Sequence, residues 1–192
     1  MKKKVTPSPR EPELDLRMQR TQRAIREGFL ALLQRKRFDQ ITARDIAAES
    51  QIGYATFFRH YASKDELLQQ IATDEIEKLY ALAGPMLQAK GSLASCQVLC
   101  DYVYEHRAIW TILLTGGAAE TLREEFTRLA LERPQAPKLK WLPQELGAVF
   151  GVSSTIEIIG WWLKQPNTLT PKQVATILDR LVVTPTAGAK AQ

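Results

Sequence analysis

Apolar residues recur along most of this chain with the spacing of a helix. Between Asp15 and Lys36, Ile25, Phe29 and Leu33 fall on one stripe. The sequence has no segment in which apolar and polar residues alternate as they do in a strand. The pattern predicts an all-α fold of about nine helices. The later helices are predicted at 92–105, 107–114, 119–132, 143–164 and 171–182.

Residues 42–67, TARDIAAESQIGYATFFRHYASKDEL, contain two short helices and the start of a third. Thr42 and Asp45 form an N-cap pair for the first helix. Gly53 can take the positive φ that a sharp turn asks of its residue. The second helix spans Tyr54 to His60. Two helices across a short glycine-containing turn are typical of a helix-turn-helix, whose second helix enters the DNA major groove.

The next helix begins at a capping box, Ser63-x-x-Glu66, and runs towards Leu82. Ala83-Gly84-Pro85 should end or kink it. We place a domain boundary inside this helix, because a continuous helix couples two domains better than a flexible linker. The predicted parts are a disordered basic tail, a helix-turn-helix domain, a helical regulatory and dimerisation domain, and a flexible tail: residues 1–14, 15–66, 67–183 and 184–192.

The net charge of +5 belongs to the helix-turn-helix end. Residues 1–66 contain 14 Lys and Arg against 9 Asp and Glu, whereas residues 67–192 contain 12 of each class. Excess positive charge at one end suits a domain that binds a polyanion. Four arginines recur there at every third position, either as DNA backbone contacts or as a solvated helix face: Arg17, Arg20, Arg23 and Arg26.

The predicted helix 143–164 is apolar or small on every side, with no charge between Glu145 and Glu157. Such a helix must be buried all round. A membrane span is the competing interpretation, but the flanking charges leave too short an apolar core. Burial against a second copy of the chain is simpler, with the last helix completing a four-helix interface. The predicted interface residues are Leu146, Val149, Val152, Ile156, Ile177 and Leu181.

Catalysis and metal binding find little support in the residues. An enzyme would need a nucleophile–base pair or a metal set, and His60 and His106 are the only histidines. No Cys/His cluster has metal-ligand spacing, so we predict no metal and no cofactor. Cys96 and Cys100 are either inert small hydrophobes, which we favour, or a redox pair. The N-terminal residues lack the apolar run of a signal peptide, so we expect a cytoplasmic protein.

The chain resembles the TetR family of bacterial transcriptional regulators, most strongly over residues 21–67. The matching features are Ile46-Ala47, the turn Gly53, Thr56 before two aromatic residues, His60-Tyr61, and Ser63-Lys64 leading to Leu67. Beyond them only the helical layout is similar. The resemblance implies a regulator, expected to be a repressor, that binds a palindromic operator as a homodimer. It also implies release by a small molecule bound in the C-terminal domain. The alternative is a helix-turn-helix protein that senses no ligand.

Several residues are expected to contact DNA. Ala55 and Arg59 share a face that can point at base edges, with Thr56 beside it, and Arg59 can pair with guanine O6 and N7. Thr42 and Arg44 open the preceding helix and can clamp the DNA backbone. The predicted DNA-binding set is Thr42, Arg44, Tyr54, Ala55, Thr56, Phe58, Arg59, His60 and Lys64.

Three of these roles depend on the resemblance. His60 and Lys64 match phosphate-contacting positions of the family. Phe58 stands where the family commonly has tyrosine, whose hydroxyl reaches a phosphate. The absence of this hydroxyl is expected to weaken the affinity for DNA and to leave the fold unchanged.

Aromatic residues of the second part are candidates for a ligand pocket with a few polar groups. The competing interpretation of each is simple core packing. Glu157 either selects a positively charged ligand or pairs with Arg or Lys across the dimer interface. The predicted pocket residues are Tyr102, His106, Trp110, Leu113, Phe126, Phe150 and Trp161.

Overall fold

The computed structural model describes residues 10–115, 119–132, 139–165 and 169–187, and the regular secondary structure in these ranges is entirely helical. The all-α prediction is confirmed. The helices are α1 Arg10–Leu33, α2 Ala43–Glu49, α3 Tyr54–His60, α4 Lys64–Lys90, α5 Ser92–Glu105, α6 Arg107–Thr115, α7 Ala119–Glu132, α8 Gln144–Lys164 and α9 Pro171–Leu178. A 3-10 turn, Phe38–Gln40, precedes α2. After α9 the chain continues through a π-helical turn, Asp179–Val183, into a last turn, Thr184–Ala187.

The chain divides into two units, residues 1–67 and 68–192. In the first unit, α1 packs on α2 and α2 packs on α3. Ile25, Phe29 and Phe57 are fully buried in its core. The rings of Phe29 and Phe38 pack edge to face, with their centroids 6.2 Å apart. With Phe57 turned inward, the opposite side of α3 is left at the surface.

The turn between α2 and α3 differs from the prediction. Gly53 has φ −66° and ψ 142°, extended backbone that any residue adopts, and the positive φ, 53°, belongs to Gln51. The Gln51 N–H donates to the Ala48 carbonyl at 3.1 Å, and the Ile52 N–H donates to the Ala47 carbonyl at 2.9 Å. These two bonds are the Schellman pattern, which ends a helix at a left-handed residue. The turn therefore places its strained backbone at Gln51.

Of the two predicted effects of Ala83-Gly84-Pro85, an end or a kink of α4, the end is wrong. The helix continues to Lys90 with Pro85 inside it. A proline at this position removes one backbone hydrogen bond of the helix. Ser95 of α5 donates its hydroxyl to the Ala83 carbonyl at 2.9 Å. This bond ties the segment before Pro85 to α5, but it does not replace the bond to the Ala81 carbonyl that a proline at position 85 removes.

In the second unit, α5 packs along α9, and α8 packs against α6, α7 and α9. The inner face of α8 is buried by these neighbours and includes Val152 and Ile156, each 6% exposed. Both belong to the core of one chain, which corrects their prediction as dimer contacts. The outer face stays at the surface, with Phe150 51% and Trp161 50% exposed. By length and hydropathy alone, α8 is the one helix in the described ranges that could cross a membrane, a property it shares with core helices of soluble proteins.

Several predicted boundaries concern the ends and breaks of the chain. Helix α1 begins at Arg10, earlier than the predicted start at Asp15. Residues 1–9 of the predicted basic tail lie outside the described residues, as do residues 188–192 at the other end. Between the later predicted helices, residues 116–118, 133–138 and 166–168 also lie outside the described residues.

Candidate nucleic-acid interface

Helix α3 presents a strip of four exposed residues. Tyr54 is 49% and Phe58 45% exposed, and Ala55 and Arg59 are exposed beside them. Positions i, i+1, i+4 and i+5 lie on one side of a helix. At 1.5 Å per residue the seven-residue helix that carries the strip is about 10 Å long, which the major groove admits. We call these four residues the α3 strip.

The two aromatic rings of the α3 strip are held by edge contacts. The rings of Tyr54 and Phe58 lie 5.0 Å apart at 74°, and the rings of Phe57 and Phe58 lie 5.2 Å apart at 87°. The guanidinium of Arg44 from α2 lies over the Tyr54 ring at 5.6 Å. These contacts orient the rings and bring a positive charge beside them, as binding to a phosphate-lined groove requires.

Arg59 is oriented by its own helix. Its Nη2 donates to the Thr56 hydroxyl at 2.8 Å, which uses one of the five N–H donors of the guanidinium. His60 is partly exposed at the end of α3, and its ring lies 6.4 Å from that of Tyr61. Thr56, Arg59 and His60 therefore come together on one short helix, where hydrogen bonding to bases or phosphates is chemically available.

Lys64 has partners that the sequence did not suggest. Its Nζ donates to the carbonyls of Phe38 at 2.8 Å and Ile41 at 2.9 Å and lies 4.5 Å from the centre of the Phe38 ring. Two of the three ammonium donors are therefore used inside the first unit. Lys64 ties the start of α4 to the 3-10 turn before α2. No spacing rule links residues 38 and 64, so only the folded chain reveals this contact.

The predicted N-cap of α2 is confirmed. Oδ2 of Asp45 accepts from the Thr42 backbone N–H at 2.9 Å and from the Thr42 hydroxyl at 2.8 Å. The Thr42 hydroxyl in turn accepts from the Asp45 N–H. The hydrogen bonds from Thr42, aided by Lys36, lower the pKa of Asp45 from 3.8 to about 2. These reciprocal hydrogen bonds form a capping box that fixes the first turn of α2. Arg44 in that turn lies over the Tyr54 ring.

The residues predicted to line a ligand pocket do not all come together. Trp110 and Phe126 line an apolar void of about 10 Å³ in the second unit, and Leu113 is fully buried. Phe150 and Trp161 lie on the outer face of α8, so their assignment to the pocket is wrong. A wider groove of about 310 Å³ lies elsewhere in this unit, beside Tyr104, Arg107 and Trp162.

Tyr102 and His106 belong to a polar region of the same unit. Their rings stack at 4.2 Å, and the Tyr102 hydroxyl donates to Glu75 Oε2 at 2.9 Å. Glu75 and Glu125 are each 3% exposed and were missed by the sequence reasoning. Arg128, which donates to Glu125, is the main cause of the lowered pKa of that carboxyl. The signal was present, since Ile71, Glu75 and Leu79 fall on one helical face.

Two further predictions concern single side chains. Glu157 pairs with Arg123 of the same chain at 3.2 Å. Cys96 and Cys100 are both buried. Burial raises the pKa of the Cys96 thiol to about 12 and that of Cys100 further. A buried thiol with a raised pKa is a poor nucleophile, because the thiolate is the reactive form.

Sequence comparison identifies the first unit. The model of the family "Bacterial regulatory proteins, tetR family" matches residues 25–71. The uncharacterized HTH-type transcriptional regulator YxbF of Bacillus subtilis (strain 168) is 45% identical over 69 residues. The match covers 34% of this chain and 18% of that protein, so the chain spans about a fifth of the length of this curated relative.

Solved structures extend the similarity over most of the chain. A TetR transcriptional regulator from Streptococcus agalactiae 2603V has a TM-score of 0.63 at 25% identity, with 88% of this chain and 96% of that chain covered. A putative TetR-family regulator from Syntrophomonas wolfei has a TM-score of 0.66 at 12% identity, with 86% and 94% covered. Thermus thermophilus FadR, a TetR-family repressor in complex with lauroyl-CoA, has a TM-score of 0.53 at 15% identity, with 84% and 93% covered. The last two show the shared fold alone. Residues 25–71 therefore match the helix-turn-helix of the tetR family, and most of the chain shares the fold of solved TetR-family regulators.

Proposed function

We propose that this chain is a cytoplasmic transcriptional repressor that binds an inverted-repeat operator as a homodimer and leaves it when a small molecule binds the second unit. The observation that carries the proposal is the α3 strip. It places an oriented guanidinium and two exposed aromatic rings on a helix short enough for the major groove. The charge excess of residues 1–66 supplies the attraction to phosphate.

The homodimer is supported by the outer face of α8. Leu146, Phe150 and Trp161 are each at least half exposed there, and Leu181 of the π-helical turn after α9 is 63% exposed. Three large exposed apolar side chains on one face of a helix favour burial against a partner. A two-fold partner would present two α3 strips to half-sites about 34 Å apart, one turn of DNA.

Ligand control is supported by the fold, and the void near Trp110 is the place that a ligand would have to open. FadR, which shares the fold, holds lauroyl-CoA. A void of about 10 Å³ has room for about one water, so an organic ligand would have to enlarge it. A ligand that binds only the enlarged state shifts the population towards it and competes with DNA by linkage. The small size of the void favours the second candidate function, a helix-turn-helix DNA-binding protein that senses no ligand.

Selection of random DNA duplexes by the purified chain tests the operator proposal. We expect a palindrome to be enriched, two chains to bind each duplex, and binding at least about 10³-fold tighter than to scrambled DNA. A sequence without two-fold symmetry, or one chain per duplex, would contradict the homodimer. The absence of any enriched sequence would refute the DNA-binding function itself.

A thermal-shift screen of metabolites, read beside operator release, tests the ligand proposal. A sensor should show compounds that both raise Tm and dissociate the selected duplex, and Trp110→Phe should change their affinity. A matched control is Trp141→Phe, since Trp141 is 72% exposed and lies outside the void. If stabilising compounds never release the duplex, the second candidate function is the better one.

A further inference from the structure

The phenyl ring of Phe58 is held at the surface in the middle of the α3 strip. Its neighbour Phe57 is fully buried, whereas Phe58 is 45% exposed. Edge contacts with Phe57 and Tyr54 fix the direction of the ring. They leave nearly half of the side chain in contact with water unless another molecule covers it.

The chemistry of the major groove limits what can cover this ring. A hydrocarbon ring offers no hydrogen bond to a phosphate oxygen or to the polar edge of a base. The C5-methyl group of thymine is the one apolar feature that a base presents in the major groove. On the proposal that α3 enters that groove, we infer that Phe58 is a specificity-determining residue that reads the methyl group of one thymine in each half-site.

The neighbours of Phe58 complement this role. Ala55 is small and exposed next to the ring, so a base edge can approach closely. Arg59 is adjacent, and its bond to Thr56 directs it along the helix. An apolar ring beside a guanidinium suits a step that combines thymine with guanine. Tyr54 has the same ring chemistry but ends in a hydroxyl, which can hydrogen-bond to a phosphate.

Deoxyuridine provides the test, because it pairs as thymine does and lacks only the methyl group. The probe is the duplex that the wild-type chain selects from random DNA, with each thymine replaced singly by deoxyuridine. For one thymine per half-site we expect Kd to rise about fourfold with wild type, the effect of one lost apolar carbon. Phe58→Ala should bind the thymine and deoxyuridine duplexes equally. Leu82→Ala, the matched control, removes an equally exposed apolar side chain of α4 outside the α3 strip and should keep the wild-type thymine preference.

A measurement on the unchanged chain covers the case in which Phe58→Ala fails to fold. The same thymine is replaced by 5-iododeoxyuridine, and the photo-crosslinked peptide is identified by mass spectrometry. Crosslinking to Phe58 supports the inference, and crosslinking elsewhere contradicts it. Equal sensitivity of wild type and Phe58→Ala to every deoxyuridine also overturns it and leaves operator binding intact. Failure to select any duplex instead refutes the proposed function.

Discussion

At the scale of single residues, Lys64 is both a candidate DNA contact and a side chain that stabilises the fold. It matches a phosphate-contacting position by resemblance, yet two of its donors serve the carbonyls of Phe38 and Ile41. An ammonium has three donors, so one is left to point towards DNA. A substitution at Lys64 therefore has to be followed by stability as well as by affinity.

Lys64→Met keeps the apolar stem and removes the charge. We expect the free energy of unfolding of the first unit to fall by about 1–2 kcal/mol, because two partly buried carbonyls lose a charged donor. Urea unfolding measures this change. Lys36→Met, which breaks only a surface pair with Asp45, should cost less. If Lys64 also contacts phosphate, the variant weakens all duplexes alike and lowers the salt slope by about one. Unchanged stability would contradict the structural role.

Gly28 illustrates a close approach between two helices. A Cβ there would lie 3.1 Å from the Ser50 backbone nitrogen and closer still to the Ser50 hydroxyl. We expect Gly28→Ala to lower the free energy of unfolding by about 1–3 kcal/mol through overpacking. The buried Ser50 hydroxyl has no partner in the described part of the chain, so Ser50→Ala alone should be nearly neutral. The double variant should recover part of the loss, and strict additivity in urea unfolding would argue against this contact.

At the scale of elements, local signals predicted some boundaries well. The limits of α5 and α7 were predicted to the residue, because each is flanked by glycine, proline or other residues that end helices locally. The end of α4 was not, because Gly84 and Pro85 are local signals to stop, whereas contacts with other helices, such as the Ser95 hydrogen bond to Ala83, leave no local signal. The α2–α3 turn was assigned to the wrong residue for a different reason. Glycine is the residue most often found with a positive φ, but here the left-handed position that follows α2 is occupied by Gln51.

The turn can be tested with a matched pair of substitutions. Gln51→Gly should raise the free energy of unfolding by about 0.5–1 kcal/mol, because glycine adopts a φ of 53° without the steric cost of a Cβ. Gly53→Ala should change it by less than about 0.5 kcal/mol, since a Cβ there meets Thr56 Oγ1 at an ordinary 3.5 Å. Chemical denaturation of the three proteins measures both. A large loss of stability in Gly53→Ala would instead indicate that the turn requires glycine at position 53.

The capping box of α2 should make stability depend on acid. The pKa of Asp45 falls from 3.8 to about 2 in the folded chain, so the folded state favours the ionised carboxylate. Its contribution is present above pH 4 and is lost as the pH falls from about 4 to about 2. Urea unfolding across this range should show a smaller loss of stability in Asp45→Asn than in wild type. Equal losses would mean that other carboxylates dominate.

At the scale of the whole molecule, α8 shows where sequence reasoning stops. Its apolar content predicted burial on every side, but one chain buries only its inner face. A helix apolar on every side gives no signal about which face turns inward. Packing of α6, α7 and α9 decides this, and it buries Val152 and Ile156 while Phe150 and Trp161 stay outside. The face that was predicted as one interface is therefore divided between core and surface.

Because Phe150 is exposed and Val152 is buried, a charge introduced at each position should have a different effect on folding and dimerisation. Phe150→Glu should leave the chain folded and make it monomeric, because a charge on the outer face would be buried against its partner. A monomer holds one half-site, so operator affinity should fall steeply with it. Val152→Glu instead places a charge in the core and should lower Tm strongly in any oligomeric state. Leu82→Glu, at an exposed leucine of α4, should do neither. Light scattering coupled to size-exclusion chromatography and thermal unfolding separate these outcomes, and a dimeric Phe150→Glu with unchanged operator affinity would remove α8 from the proposed interface.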